Sequence, residues 1–414
     1  IDAGDVDIAF RKLEVSDIND FKAKTNVKVW EGTGPFIQYL VFQQKIEPFD
    51  DSRVRKALAA ALNRTALCET ALLGQATNLY SMIPNGMMGH IDAYKTLGDA
   101  NYTFTRNTLR ELGYNETNKL VVDLWFETSE HYPQTPERAA AIESSLEASG
   151  VVTVNRHGLD WRAYAAKRGE ETMPAYIYGW LADYVDPDNY VYPLLHSSGS
   201  SWLHDNYINP QMDALVENAR TSTNAAARES LYHEIQQIMV QDAPMVPMLQ
   251  SFMYAVAKPN VRGVFLDMTG AWRLWLVYKA CEVDVSSRPR VSPLIVDGVT
   301  LHVADQPWVY TWALGTNHTL TVPQTTITEA NTRYIFTAWS DGLKNTTRNI
   351  TASTDATIAA DFQTQHYLTL LTDPKGLAAI SGQGWYTEGT QVQVIAPSVA
   401  YHLSLIHISE PTRQ

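Results

Sequence analysis

Acidic and aromatic side chains are concentrated in residues 180–189, directly after an apolar run that is typical of a β-strand. The segment contains four oxygen-bearing side chains: Asp183, Asp186, Asp188 and Asn189. Such a set could coordinate a hard cation such as calcium. Pro187 restricts a calcium loop, however, and the segment has neither a glycine for a sharp turn nor a glutamate at loop position twelve. A turn through residues 186–189 explains the same residues without a metal.

Asp183 and Trp180 are the candidate ligand-binding residues of this segment. Ligands of open α/β sheets bind outside the carboxyl ends of strands, which is where both residues fall. A carboxylate in that position binds a cationic group more strongly when aromatic rings such as Trp180 and Tyr184 shield it from water. The alternative interpretation is that Asp183 only caps the following turn and that Trp180 fills the core.

The sequence lacks the residue patterns that several common enzyme classes require. His233-Glu234 has no second histidine four residues on, which a zinc-protease helix needs. Gly32-Thr33-Gly34 has no third glycine and opens no predicted helix, so it is not a dinucleotide loop. No serine stands in a Gly-x-Ser-x-Gly elbow, and two cysteines exclude a disulfide framework or an iron–sulfur cluster. We therefore expect neither an enzyme nor a resident cofactor or metal.

The amino-acid composition limits the class of protein further. The 414 residues are 45% hydrophobic and 19% charged, which suits a folded protein of two or three domains. The formal net charge is −13, and an acidic chain without a basic stripe is a poor candidate for nucleic-acid binding. No apolar run approaches the roughly 18–20 residues of a membrane span.

Residues 1–279 read as alternating strands and helices. The central run predicts a strand over 120–126, a helix from Thr135-Pro136 to Gly150, a strand over 151–154, a helix over 160–169 and a strand over 175–180. This spacing implies parallel strands joined by right-handed crossovers, that is, an α/β layer. The remaining predictions are helices over 53–73, from 209 and over 223–242, with strands over 246–256 and 272–278.

The character of the sequence changes at Lys279. Residues 280–292 read as a linker, and the threonine-rich residues 293–402 show the period-2 pattern of an all-β module. Residues 315–323 recur loosely at 389–397, which predicts tandem β domains with a truncated second copy. The tryptophans of this part are either exposed aromatics or β-core residues: Trp308, Trp312, Trp339 and Trp385.

Several stretches occur in the order and spacing that resemble the extracytoplasmic solute receptors of peptide-type ABC importers. They are Gly4–Ile8, Pro48–Leu58 with Leu62-Asn63-Arg64, Trp161 with Tyr164, Gly179–Asn189, and Ala243–Pro247. The resemblance implies a two-lobed α/β fold of the periplasmic-binding-protein type II class. Residues 1–279 would hold its second lobe and C-terminal return, with most of the N-terminal lobe preceding Ile1. Residues 293–402 resemble, more loosely, internalin-type bacterial surface repeats through Gly315-Thr316 and Trp339–Gly342.

The resemblance also implies roles for individual residues. In the oligopeptide receptors the aspartate of a Trp-x-Ala-Asp-Tyr pattern pairs with the α-ammonium group of the peptide, and this residue is Asp183. Trp180, Tyr184 and Asn189 belong to the same ligand-binding segment. Arg138 could offer a cation to a peptide carboxylate, the alternative being a solvated surface arginine.

The implied function is binding of small peptides by lobe closure and their delivery to a membrane ABC permease. An oligosaccharide receptor of the same family is one alternative, and a cell-surface interaction protein with a relic receptor fold is another. The resemblance, together with six Asn-x-Thr sequons, places the protein outside the cytoplasm, periplasmic or at the cell surface.

Both ends of the sequence predict a fragment. The chain opens at Ile1 without an initiator methionine, and residues 403–413 match the in-frame translation of a transposase sequencing adapter. We therefore exclude residues 403–414 from the fold and expect anchoring through the missing ends.

Overall fold

The computed structural model describes residues 1, 3–10, 13–129, 131–373, 375–376 and 378–396. The chain divides into two units, the first comprising Ile1–Pro259 and Gly263–Leu276, the second Asn260–Arg262 and the chain from Val277 onward. The predicted adapter segment, residues 403–414, lies outside the described residues. Among the described helices, none has both the length and the apolar character needed to cross a bilayer.

The first unit alternates helices and strands. Its strands are β1 Ile8–Phe10, β2 Lys28–Phe42, β3 Ala76–Asn78, β4 Leu120–Glu127, β5 Val152–Leu159, β6 Ala175–Leu181 and β7 Met245–Ala257. Its α-helices are α1 Val15–Lys22, α2 Ser52–Ala61, α3 Arg64–Ala66, α4 Tyr102–Glu111, α5 Thr135–Glu147, α6 Trp161–Gly169, α7 Asp188–Leu195, α8 Pro210–Thr221 and α9 Ala225–Asp242. A π-helical turn, Leu67–Ala71, follows α3, and 3-10 turns span Ala93–Leu97, Ser200–Leu203 and Leu274–Leu276.

One mixed sheet organises this unit, with the strand order β1-β7-β2-β6-β4-β5 and β3 attached to β7. The predicted parallel run is confirmed, since β4 pairs in parallel with both β5 and β6. Strand β2 is antiparallel to β6 and to β7, so the long return strand β7 completes the sheet. The alternation along β4 buries Val122 and Leu124 and leaves Val121 exposed, because successive side chains point to opposite faces.

Two buried arginines anchor the segment around α2 and α3. The Arg55 guanidinium donates to the carbonyl oxygens of Phe49 (2.6 Å) and Ala243 (3.1 Å), which ties the start of α2 to the end of α9. Arg64 is fully buried and donates to the carbonyl of Pro247 (2.9 Å) and to Asp99 (2.6 Å). Both residues hold the framework together and line no part of the cavity described below.

The predicted helix over 53–73 is interrupted. Leu62 has a non-helical ψ of 128°, and the Asn63 side chain accepts a hydrogen bond from the Ala66 amide, which caps a new helix. Asparagine competes for backbone donors in this way more readily than it continues a helix.

The predicted strand over 272–278 is also wrong for most of its length. Leu274–Leu276 forms a 3-10 turn, and the strand begins only at Tyr278. Trp272 packs on Phe10, with ring centroids 3.5 Å apart and planes tilted by 40°, and Arg273 pairs with Asp267 at 2.8 Å. These tertiary contacts hold the segment against the unit in a conformation that its apolar pattern did not indicate.

The second unit contains β-strands and one 3-10 turn, Val303–Asp305, among its described residues. The strands are β8 Val261–Arg262, β9 Tyr278–Arg288, β10 Leu294–Val296, β11 Val299–Leu301, β12 Trp308–Ala313, β13 Asn317–Thr321, β14 Thr326–Glu329, β15 Thr332–Trp339, β16 Thr347–Thr351, β17 Ala356–Leu368 and β18 Gly384–Thr387. They form one sheet of order β11-β10-β13-β16 and another of order β12-β9-β17-β15-β14, with β18 beside β17 and β8 beside β9. Trp312 and Trp339 are buried in its core, whereas Trp308 is half-buried and packs against it.

The prediction of a linker over 280–292 is wrong for most of this segment. Most of it belongs to β9, which pairs antiparallel with β12 and parallel with β17. Its polar residues conceal a period of two, because Cys281, Val283 and Val285 are buried while Glu282 is exposed. The tandem β repeat stays a prediction: residues 389–396 show only an isolated bridge between Ser381 and Ile395, where 317–321 form a strand.

Candidate functional site

A cavity of about 720 Å³ opens in the first unit where the carboxyl ends of its parallel strands meet. The loop after β4 contributes His131 and Tyr132, the start of α6 contributes Trp161, and the end of β6 contributes Trp180 and Asp183. Strand ends converge here because β4, β5 and β6 run in the same direction.

Aromatic rings form most of the wall as a continuous series. Consecutive ring centroids lie 3.6 Å apart from His131 to Trp161, 6.1 Å to Tyr178, 5.4 Å to Trp202 and 5.2 Å to Trp180. The Arg168 guanidinium carbon lies 4.4 Å from the Tyr178 ring centroid and 5.3 Å from that of Trp202. Arg168 does not line the cavity, so it makes these cation–π contacts from outside the wall.

Asn189 fixes the polar end of the wall. Its side-chain oxygen accepts hydrogen bonds from the Trp180 indole nitrogen (3.0 Å) and from the Asp183 amide (3.1 Å), and Asn189 itself is buried. The Asp183 carboxylate remains exposed and lines the cavity. Among the described lining residues it is the only carboxylate, and no lysine or arginine accompanies it.

The residues that follow Asp183 in the sequence make hydrogen bonds elsewhere in the protein. Tyr184 is 51% exposed, lies outside the cavity lining and donates its hydroxyl to Asp188 (2.7 Å). Arg228 makes two hydrogen bonds to Asp186, of 2.6 and 2.8 Å, and the Asp186 carboxylate also accepts from the Asp188 amide (2.8 Å). The last contact is the side-chain-to-backbone bond of an Asx turn, as the turn interpretation predicts. Within the described ranges, no group of three acidic, histidine or cysteine side chains is arranged to hold a metal.

Arg138 lies neither at the surface nor in the cavity wall. It is 1% exposed, and its guanidinium donates to the Thr135 hydroxyl (2.8 Å), to the Gln134 carbonyl (3.3 Å) and to the Pro133 carbonyl. Burial lowers its pKa to about 10. The solvated alternative is therefore wrong, because the side chain holds the backbone of the loop that precedes α5.

Glu127 is a site residue that the sequence did not reveal. It is fully buried at the end of β4 and accepts hydrogen bonds from the amides of Ser129 (2.8 Å), His131 (3.2 Å) and Tyr132 (3.0 Å) and from the Thr135 hydroxyl (2.6 Å). Its carboxylate thus shapes the loop that presents His131 and Tyr132 to the cavity. The only sequence signal was its place at the carboxyl end of a parallel strand.

We expect Asn189→Ala to lower the free energy of unfolding by about 1–3 kcal/mol, because two donors lose their acceptor in a partly buried site. Urea unfolding followed by tryptophan fluorescence measures this change. Asn218→Ala is the matched control, since Asn218 is exposed on α8 and alanine favours a helix. An Asn189→Ala variant as stable as the control would show that Asn189 does not hold this end of the wall.

Several known proteins are similar to this chain in sequence. Residues 1–202 match the family model of bacterial extracellular solute-binding proteins, family 5 Middle. The chain is 29% identical over 256 residues to heme-binding protein A of Haemophilus influenzae, covering 60% of this chain and 45% of that protein. It is 27% identical over 257 residues to di/tripeptide-binding protein 2 of Pseudomonas aeruginosa, covering 60% of this chain and 46% of that protein.

The fold has solved counterparts. A dipeptide-binding protein from Pseudoalteromonas sp. SM9913, crystallised with Met-Leu, superposes with a TM-score of 0.59 at 23% identity, covering 67% of this chain and 54% of that one. The chain spans about half the length of the curated relatives that it matches. These likenesses support a relationship of the chain to the bacterial extracellular solute-binding proteins of family 5.

Proposed function

We propose that the chain is the ligand-binding part of an extracytoplasmic receptor that captures small peptides for an ABC importer. The observation that carries this proposal is Asp183, a lone carboxylate among the described residues of an aromatic cavity at the carboxyl ends of parallel strands. A carboxylate there can pair with the α-ammonium group of a peptide through a charge-assisted hydrogen bond. The relatives named for di- and tripeptides support the same ligand class.

The proposed mechanism is capture without chemical change. The ligand's amine meets Asp183 while its apolar atoms contact the rings, and closure of a second lobe over the cavity then excludes water and strengthens the ion pair. A membrane permease receives the ligand when the lobes open. The second unit would act as a β-sheet spacer or wall anchor outside the cytoplasm.

Two alternatives remain as competing proposals. An oligosaccharide receptor is supported by the three indole rings that line the cavity, those of Trp161, Trp180 and Trp202, since sugars pack on aromatic faces. A cell-surface interaction protein would instead use the second unit, where Val309 is 61% exposed on β12.

Calorimetry with the dipeptide Met-Leu tests the proposal. We expect Asp183→Asn to weaken binding of Met-Leu by about 10- to 100-fold, since a hydrogen bond to a charged group is worth about 1.5–3 kcal/mol. Asp20→Asn is the matched control, because Asp20 is exposed and outside the cavity lining. N-acetyl-Met-Leu should bind weakly to all three proteins.

The outcomes separate the proposals. Equal affinity of Asp183→Asn and the unchanged chain for Met-Leu would refute the amine role of Asp183. Binding of maltotriose that is indifferent to Asp183→Asn, without dipeptide binding, would favour the sugar receptor.

A further inference from the structure

We propose that the cavity selects amines whose adjacent side chain is aromatic or large and apolar, rather than peptides in general. This inference rests on the proposed function and specifies its ligand class. It depends on three features: the ring faces of the wall, the internal hydrogen bonds of two of its indole donors, and the positions of the Asp183 and Arg168 charges.

The wall offers ring surface and little hydrogen bonding. The indole nitrogen of Trp180 donates to Asn189 (3.0 Å) and that of Trp202 donates to the Pro193 carbonyl (2.9 Å). Two of the three indole donors that line the cavity are therefore used inside the protein, and these two rings present apolar surface to the cavity. A sugar would leave hydroxyl groups without hydrogen-bond partners against such rings, whereas an apolar side chain gives up no hydrogen bonds there.

The charges orient the ligand. Arg168 already lies against Tyr178 and Trp202, and its Nε and Nη1 atoms are buried without hydrogen-bond partners. A cation against these rings disfavours a second cation on them, because the two charges repel through the same low-dielectric layer. The ligand's ammonium group is thereby directed to Asp183, and its side chain to the rings.

The size of the cavity agrees with this arrangement. About 720 Å³ holds a small peptide with one bulky side chain and falls within the range of small-molecule sites. The rings of His131 and Trp161 both line the cavity and stack almost parallel, with centroids 3.6 Å apart and planes 11° from each other. Contact with such a stack favours a planar or extended apolar group over a compact one.

Calorimetry with three dipeptide probes, Phe-Ala, Gly-Ala and N-acetyl-Phe-Ala, tests the selection on the whole chain. We expect Phe-Ala to bind at least tenfold more tightly than either of the others, because only Phe-Ala has both the ring and the free amine. Tryptophan emission should also change with Phe-Ala, since three indoles line the cavity.

Trp161→Leu is the variant that isolates the ring contribution. It should reduce the preference for Phe-Ala over Gly-Ala by at least threefold. Trp275→Leu is the matched control, because Trp275 is 77% exposed and outside the cavity lining. If Trp161→Leu does not fold, as judged by its thermal transition, Phe36→Leu replaces it, since Phe36 also lines the cavity.

Each result bears on a different claim. Gly-Ala binding as tightly as Phe-Ala would overturn the selection and leave the peptide receptor intact. N-acetyl-Phe-Ala binding as tightly as Phe-Ala would overturn the amine role of Asp183, and with it the proposed function, while the apolar preference stood. Binding of none of the three probes would refute both.

Discussion

Glu127→Gln is expected to destabilise the chain by about 2–5 kcal/mol and to weaken ligand binding more than tenfold. The Glu127 carboxylate accepts four hydrogen bonds while fully buried, two at each oxygen. A glutamine places an amino group, which only donates, where one oxygen was. Two loop donors then lose their acceptor, at a cost of about 1–3 kcal/mol each. The buried Arg138 guanidinium also loses a nearby negative charge that favours its protonated form.

Urea unfolding and calorimetry with Met-Leu, both at a temperature well below the thermal transition, measure the two effects. Glu229→Gln is the matched control, because Glu229 is exposed on α9 and outside the cavity lining. We expect the control to change stability by less than about 0.5 kcal/mol, as surface substitutions usually do. A Glu127→Gln variant that unfolds like the control would mean that the loop is held by other contacts.

Asp205→Asn is expected to stabilise the chain at pH 8 and to remove part of its pH dependence. Burial raises the pKa of Asp205 to about 7, its side chain being 1% exposed with Oδ2 lacking a hydrogen-bond partner. An unfolded aspartate titrates near about 3.9. Between these two values the folded chain keeps a proton that the unfolded chain has lost.

Protonation of Asp205 therefore stabilises the folded chain at low pH. The stabilising contribution of this group is complete below about pH 4 and is lost as the pH rises to about 7, by about 1.4 kcal/mol per pH unit or about 4 kcal/mol in total. Asparagine stays neutral throughout, so the difference between variant and unchanged chain should be near zero at pH 4 and largest above pH 7.

Free energies of unfolding in urea from pH 4 to pH 8 give this difference curve. The Oδ1 contact with the Tyr207 amide, 3.3 Å long, can be kept by the asparagine oxygen, so the substitution changes the charge more than the geometry. Asp20→Asn should give a flat curve, because Asp20 is exposed. A flat curve for Asp205→Asn as well would show that Asp205 is ionised in the folded chain at neutral pH.

Local sequence determined the framework of the first unit. The run from Leu120 to Leu181 alternates apolar strands with helices, and such spacing leaves parallel pairing as the short, right-handed solution. The place of Trp180 and Asp183 at the end of β6 follows from the same pattern. These features depend on neighbours within one element or one crossover, which a linear pattern records.

Other features were decided only by contacts between distant positions. The aromatic wall brings His131 and Trp202 together with Trp180, and β9 becomes a strand because β12 and β17 flank it. Arg138 lies away from both the surface and the cavity wall because carbonyl groups of its own loop accept its hydrogen bonds.

The physical reason is that a side chain's role depends on which partners desolvate and satisfy it. Asp183, Asp186 and Asp188 are alike in the sequence, yet Arg228, 42 positions away, engages Asp186, and the Tyr184 hydroxyl engages Asp188. Asp183 is left facing the cavity. The sequence supplied the carboxylates, and the tertiary structure decided which of them faces the cavity.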